Sequence, residues 1–410
     1  QDAWEGRMSV ARLLEDAVHY AEDGAAVTRT LAFNARTKQD ELKDAPGFID
    51  NFFIDGALPE EGQRFRQPRI AATLKHLAEH GLDDFYRGEL AREIAADLER
   101  AGSPLRRDDL ERHNALLVAP LSLRVAGHDV FNMPPPTQGL ASLLLLGVYE
   151  RLGVATAENF EFVHGLVEAT KRAFRIRDRN VTDPAYMDSD PAAFLDGAKL
   201  DAMAADIDLA QALPWPDPAQ KGDTVWLGAV DKEGRAVSFI QSIYWEFGSG
   251  TVLENSGIMW QNRGTSFSLD PAHHNCLKPH RRPFHTIQPA MARLADGRVM
   301  PYGTMGGEGQ PQTQAMVFTR HVMHGQGLQE AVTAPRWLLG RTWGAETTNL
   351  RIENRFDPAV IQALRDAGHD IEEIGAFDEV MGHAGALVRH PDGLIEGAAD
   401  PRGDGAAAGA

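Results

Sequence analysis

Along the chain, apolar positions recur first at helical and then at alternating spacing. Val10, Leu13, Leu14, Ala17 and Val18 share one face of a helix predicted over 9–22, with Ser9 placed to cap its start and Gly24 just past its end. The same spacing predicts helices over 69–80, between Pro68 and Gly81, and over 87–101, 139–152 and 159–178. The longest apolar run, 140–148, is interrupted by Ser142 and Gly147, which predicts a buried helix and not a membrane span. The helical pattern stops near 211. There Pro214, Pro216 and Pro218 predict an extended, exposed linker over 211–223. Beyond it, 225–230 and 236–243 read as strands of a hairpin joined through Asp231-Lys232-Glu233-Gly234. Further strands are predicted over 299–305, 385–389 and 394–398, the last two joined through Pro391-Asp392-Gly393, and helices over 312–323 and 358–367. Helices enclosing antiparallel strands predict a layered α+β or α/β fold.

Composition enters mainly by exclusion. A chain of 410 residues exceeds what one core usually fills, so two domains or one domain with wrapping helices are expected. With 43% hydrophobic and 24% charged residues it has the apolar content of a globular protein. A formal net charge of -18, with no dense basic stripe to offset it locally, makes nucleic acid a poor partner. Membrane binding is not expected either. A single cysteine, Cys276, excludes an intrachain disulfide and a cysteine-ligated metal site within one chain, and fits a reducing, cytoplasmic setting. No secretory signal is visible at Gln1-Asp2-Ala3-Trp4.

The chemistry concentrates where the linker meets the hairpin, at Gly222-Asp223-Thr224-Val225-Trp226-Leu227-Gly228. Taken alone, a threonine that opens a strand is a β-former with a satisfied hydroxyl. It does not stand alone. Thr224, Ser242, the run Phe247-Gly248-Ser249-Gly250, Gly257-Ile258-Met259-Trp260-Gln261-Asn262, Arg282-Pro283-Phe284, Gly303-Thr304-Met305-Gly306-Gly307 and Asp400-Pro401-Arg402 follow one another in an order and spacing that resembles the γ-glutamyltransferase family. The resemblance covers 224–410 and continues more loosely upstream through Met133-Pro134-Pro135-Pro136, Ala173-Phe174 and Asp183-Pro184. It implies a four-layer αββα sandwich of the N-terminal-nucleophile type. It also implies a precursor that cuts itself between Asp223 and Thr224, giving a large portion 1–223 and a small catalytic portion 224–410 that remain one folded unit.

In that family the freed threonine is the nucleophile, and its α-amino group, with an ordinary pKa of about 7.7 to 8.0, can take the hydroxyl proton. Thr224 takes this position, Ser242 matches a hydroxyl residue that assists the nucleophile, and Gly306 and Gly307 match the oxyanion glycines. Two adjacent glycines allow the backbone to aim successive N–H groups into a cavity, although the pattern also fits a turn at a strand end. No cofactor or metal is implied.

The substrate positions depart from the family. Where it binds an α-amino group with an asparagine, a glutamine and an aspartate, this sequence has Tyr244, Arg263 and Ser266, and two carboxylate-binding serines are replaced by His285 and Thr286. A guanidinium opposes an α-ammonium but suits a carboxylate through paired hydrogen bonds. The expectation is a small anionic amide. Asp223-Thr224-Val225-Trp226, Ser238-Phe239-Ile240-Gln241-Ser242-Ile243-Tyr244 and the run from Met305-Gly306-Gly307-Glu308 to Gly309-Gln310-Pro311-Gln312 resemble the oxamate-hydrolysing branch of the family. Alternatives are γ-glutamyl transfer or glutathione hydrolysis, a cephalosporin-acylase-like specificity, and an uncut homologue with a binding role; homo-oligomerisation is left open. The family's segment before the nucleophile is longer, so an N-terminal portion is expected to be missing here.

Other signals carry less. His273, His274, Cys276, His280 and His285 are dense but match no standard zinc spacing. Arg402-Gly403-Asp404 spells an adhesion tripeptide but overlaps the family ending, and the glycines of 306–309 lack the Lys-Ser/Thr of a phosphate loop. Gly248-Ser249-Gly250 is too short for a nucleophile elbow.

Overall fold

In the computed structural model, which describes residues 6–215, 223–340 and 348–409, the chain forms two compact units, one of Gln1–Leu117 with Phe247–Asn262 and one of Val118–Glu246 with Arg263–Ala410. The first unit is built from helices Val10–Asp23, Arg29–Leu42, Pro68–His80 and Glu89–Arg100 with a short ribbon of β1 (Ala25–Ala26) and β2 (Arg64–Phe65). Ser9 caps the first helix as expected, its hydroxyl accepting from the Arg12 N–H at 3.2 Å. Apolar helix faces meet in a cluster of Leu77, Leu90, Ile94, Leu98 and Leu110 with Leu253. A second cluster sets Phe247 edge-on to Phe48 and Phe52, with ring centroids 5.2 and 4.9 Å apart. Buried Asp97 accepts two hydrogen bonds from Asn255, both of 3.0 Å. A stretch that follows the hairpin in sequence therefore completes the core of the N-terminal helices.

The second unit is organised by a six-stranded sheet. Its strands are β3 (Leu121–Val125), β4 (His128–Asn132), β7 (Ala290–Arg293), β8 (Val299–Thr304), β12 (Ala384–Arg389) and β13 (Ile395–Ala399), and separate from them lies the hairpin of β5 (Asp223–Val230) and β6 (Ala236–Tyr244). The sheet runs in the order β13-β12-β8-β7-β4-β3, antiparallel throughout. A smaller sheet joins β9 (Trp337–Leu339), β10 (Leu350–Glu353) and β11 (Ile371–Ile374). Helices Gly139–Arg151 and Gln310–Phe318 lie on one face of the large sheet, with Phe160–Asn180 packed on the first of them. The run read as a buried helix is buried all round, from Gly139 to Tyr149.

Tyr302, Ala384 and Ala386 point into that helix-covered core, so Gly303 and Gly385 face the other way. The hairpin lies there. Gly303 and Gly385 are directly paired across β8 and β12, and a Cβ on either would lie 2.1 and 2.5 Å from the Trp226 ring. The indole thus rests on a platform that only glycine leaves flat. Its Nε1 donates to Ser238 Oγ across the hairpin at 2.9 Å. The opposite hairpin face carries Val225, Leu227, Val237 and Phe239, each about half exposed.

The predicted helices and strands are present with ends shifted by a few residues. The helix expected over 312–323 begins at Gln310, and its α-helical part gives way to a π-helical turn over Thr319–Met323. Strands β3, β4, β7 and β9 to β11 escaped the sequence reading because each has only three to five residues, too few to display a period. The linker starts less free than expected: Ala212 N–H donates to the Ala367 carbonyl at 2.8 Å, and Leu213 bonds Glu168 and Lys171. Pro216 and Pro218 lie outside the described residues. No helix among the described residues is long and apolar enough to cross a membrane.

Candidate active site

Register places Thr224 opposite a bulge. Asp223 pairs with Tyr244 and Val225 with Gln241, so Thr224 alone faces Ser242 and Ile243 of β6, an irregularity that bends a strand and re-aims a side chain. The Thr224 hydroxyl donates to Ser242 Oγ at 3.1 Å, and the Ser242 oxygen also accepts the Tyr244 N–H at 2.9 Å. Tyr244 holds a positive φ of 85°, an uncommon conformation for a tyrosine, immediately beside this pair. Its side chain leads into a second group. The ring lies 3.2 Å from the Arg263 guanidinium carbon.

Arg263 is 5% exposed and gathers the remaining expected substrate residues around it. It donates to Thr286 Oγ1 at 3.2 Å, to Ser266 Oγ, and to His285 Nδ1 at 3.4 Å. Burial lowers its pKa to about 10, opposed by the nearby Glu308 carboxylate. Burial and the adjacent guanidinium push His285 down to about 3, so its imidazole is neutral. His285 Nδ1 also accepts the Ile287 N–H at 3.2 Å, which assigns the ring proton to Nε2. His285 therefore offers a single donor, from Nε2. Thr224, Ser242, Tyr244, Arg263, Ser266, His285 and Thr286, dispersed over 63 positions between 224 and 286, thus form one connected constellation in the second unit.

Gly306 and Gly307, with φ of 116° and 50°, carry the chain from β8 into the helix Gln310–Phe318. Successive left-handed residues are what this turn needs, and both glycines are buried. Gln310, the first residue of that helix, reaches Thr224 Oγ1 with its Nε2 at 3.5 Å, which brings the glycine turn to the side of the expected nucleophile.

Two glutamines and one ion pair were not anticipated. Gln138 donates through Nε2 to the carbonyls of Thr286 and Gly307, both at 2.7 Å, through its backbone N–H to His285 O at 3.0 Å, and accepts from Arg177 at 2.9 Å. It ties the arginine pocket to the glycine turn. Arg177 is fully buried and pairs with Glu308. Glutamine does not titrate and sits in no spacing rule; the only hint was that Gln138 follows Met133-Pro134-Pro135-Pro136.

Among the described residues one cluster has metal-ligand composition, His164, Glu168 and His369. Its donor atoms are already engaged: the two imidazoles bond each other at 2.9 Å, and Glu168 pairs with Lys171 and Arg172. With two cations on one carboxylate, it reads as an internal electrostatic network.

The γ-glutamyltranspeptidase family model matches residues 4–410. The oxamate amidohydrolase proenzyme of Klebsiella pneumoniae is 54% identical over 402 residues, 98% of this chain and 76% of that protein. The glutathione hydrolase-like YwrD proenzyme of Bacillus subtilis is 41% identical over 416 residues, 100% of this chain and 79% of that protein. A solved structure, the cephalosporin acylase from Bacillus halodurans, superposes with a TM-score of 0.88 at 34% identity, covering 97% of this chain and 74% of that one. The mixed α/β fold with antiparallel sheets is therefore that of the N-terminal-nucleophile hydrolases, whose relatives here are proenzymes processed into large and small subunits. The chain belongs to the γ-glutamyltranspeptidase family and is an amide-bond hydrolase.

Proposed function

We propose that this protein cuts itself between Asp223 and Thr224 and then hydrolyses a small anionic amide, oxamate in the first instance, through an ester on Thr224. The observation that carries this reading is the junction at Tyr244: one residue links the hydroxyl pair Thr224–Ser242 through its backbone N–H to a buried guanidinium through its ring. An amide whose carboxylate is held by Arg263 presents its carbonyl on the side of Thr224. The 54% identical relative, an oxamate amidohydrolase proenzyme, supports the same substrate.

In the proposed reaction Thr224 Oγ1 attacks the amide carbon while its proton passes to the freed α-amino group. The oxyanion is met by backbone N–H groups of the Gly306-Gly307 turn. Collapse of the intermediate returns the proton to the leaving nitrogen, ammonia departs, and water then releases oxalate from the ester. Thr286 and the Nε2–H of His285 complete the carboxylate pocket, and Ser266 and the Tyr244 ring hold the guanidinium in place. The hairpin is, in this reading, the second β layer of a four-layer αββα sandwich, since its apolar outer row Val225, Leu227, Val237 and Phe239 is a face that a further layer covers.

The test is the intact mass of denatured protein beside a Thr224→Ala variant. Two fragments parted at 223/224 from the parent and one species from the variant are expected, followed by ammonia release from oxamate by the parent alone. Uncut parent overturns the reading of Thr224. Turnover of a γ-glutamyl anilide without turnover of oxamate keeps the nucleophile and replaces the substrate.

A further inference from the structure

We propose that Gln310 is a catalytic residue of this site, holding the α-amino group that cleavage frees on Thr224 through its Oε1 while its Nε2 meets the same residue's Oγ1. The inference rests on the reading of Thr224 as the nucleophile. Gln310 is fully buried at the first turn of the helix Gln310–Phe318. Its Nε2 lies 3.5 Å from Thr224 Oγ1. The Thr224 hydroxyl gives its own proton to Ser242 Oγ, so Oγ1 is the acceptor toward Gln310, and this fixes which end of the amide is which. The other end, Oε1, is buried and has no hydrogen-bond partner among the described residues. A buried acceptor left unmet is costly, so its partner is to be sought in a state of the protein that differs near it.

Cleavage creates such a state. The nitrogen of Thr224 is three bonds from Oγ1, so an amide with one end 3.5 Å from Oγ1 can turn its other end toward that nitrogen. Before cleavage this is a peptide N–H; afterwards it is an amine with additional hydrogens. One of them given to Gln310 Oε1 turns the nitrogen lone pair toward Oγ1, where the proton must be taken. As Oγ1 attacks the amide carbon, the C–O bond forms, the carbonyl electron pair moves to oxygen, and the Oγ1 proton goes to the amine. The resulting ammonium is stabilised by Oε1 until it gives the proton to the departing nitrogen. Gln310 itself neither gains nor loses a proton. Among the described residues, Glu308, two positions before Gln310, pairs with Arg177 and also acts on Arg263, and His285 beside Arg263 is neutral.

The measurement is the pH dependence of kcat/KM for oxamate, or for a γ-glutamyl anilide where oxamate is not turned over, in the cleaved parent and in Gln310→Met and Gln310→Glu. The acid limb of this profile follows the free amine. Gln310→Met removes the acceptor that favours the ammonium, so kcat falls about tenfold or more with KM little changed and the limb moves to lower pH. Gln310→Glu sets a carboxylate beside the ammonium and moves the limb to higher pH by about one unit or more. Opposite shifts are the signature, since a residue that only packs moves neither limb. Cleaved, active variants with an unmoved limb overturn the proposal and leave Thr224 as the nucleophile. Uncut variants that melt like the parent also overturn it, by placing Gln310 in maturation before the amine exists. If Gln310→Met does not fold, the direction of the Gln310→Glu shift decides alone. An uncut parent sinks the nucleophile reading instead.

Discussion

Two buried arginines of the second unit show how the same side chain serves structure in one place and ligand chemistry in another. Arg402 is enclosed by carboxylates. Its Nε and NH2 reach the two oxygens of Glu353 at 2.7 and 2.6 Å, and NH1 meets Asp400 Oδ1 at 3.0 Å, while Arg336 takes the other Asp400 oxygen. Arg263 instead bonds two hydroxyls and an imidazole beneath an aromatic ring. Its pKa alone would not separate it from the structural group, because burial also lowers that of Arg336 to about 10 despite its carboxylate partner. Partner chemistry separates them. Hydroxyls and a neutral ring orient a guanidinium without neutralising it, whereas a carboxylate fork consumes its charge. The network at Arg402 also disposes of the adhesion reading, since its side chain is fully buried.

The contrast can be broken most sharply at Arg402. Arg402→Met leaves Glu353 and Asp400 without their shared cation and is expected to cost about 3–5 kcal/mol, read as a fall in the denaturant midpoint at unchanged slope. A smaller loss, of the size seen for an exposed ion pair, would remove the distinction drawn here. Arg263→Lys keeps the charge but not the planar fork. The expected result is a rise of about ten- to hundredfold in KM for oxamate, equivalent to about 1.5–3 kcal/mol, with a melting temperature close to that of the parent. If instead the melt collapses and KM holds, Arg263 belongs with Arg402.

The smallest effect concerns pH. The folded-state pKa of His285, about 3, lies below its ordinary value of 6.5, so the unfolded chain binds more protons between the two. Stability from this residue is complete above about pH 6.5 and declines as pH falls toward 3. His369, held to about 3 by burial, Lys171 and His164, acts in the same direction. His285→Gln should flatten the stability curve between pH 4 and 6 by part of its slope and add no inflection to activity above pH 6; a new neutral-pH inflection would mean that the imidazole titrates in the site.

The sequence made most of the long helices legible because they repeat a period over many residues, though not Arg29–Leu42, and the β5–β6 hairpin because a polar turn divides two alternating runs. Sheet order was not legible. The contact of Trp226 with Gly303 and Gly385 depends on two glycines that lie 82 residues apart and lack any side chain to mark them. The expected pocket residues were found through family resemblance, since the grouping of Tyr244, Ser266, His285 and Thr286 about Arg263 follows no local pattern. Gln138 carries no charge and lies in no motif, and Gln310, although inside the run 305–312, has no role implied by it, yet they make the bonds that join the pocket, the glycine turn and Thr224.

The way the chain is interlaced bears on what a cut at 223/224 would do. Residues 118–215 share a unit with 223–246 and 263–409, while 247–262 close the core of the N-terminal helices. Strand β4, from before the cut, is hydrogen-bonded to β7, from after it, in the middle of one sheet. The two products would therefore be stitched through each other in both units, and neither could leave without dismantling a sheet and a helical core together. Their lifetime as a pair is then set by the rate of unfolding and not by an affinity that dilution can defeat.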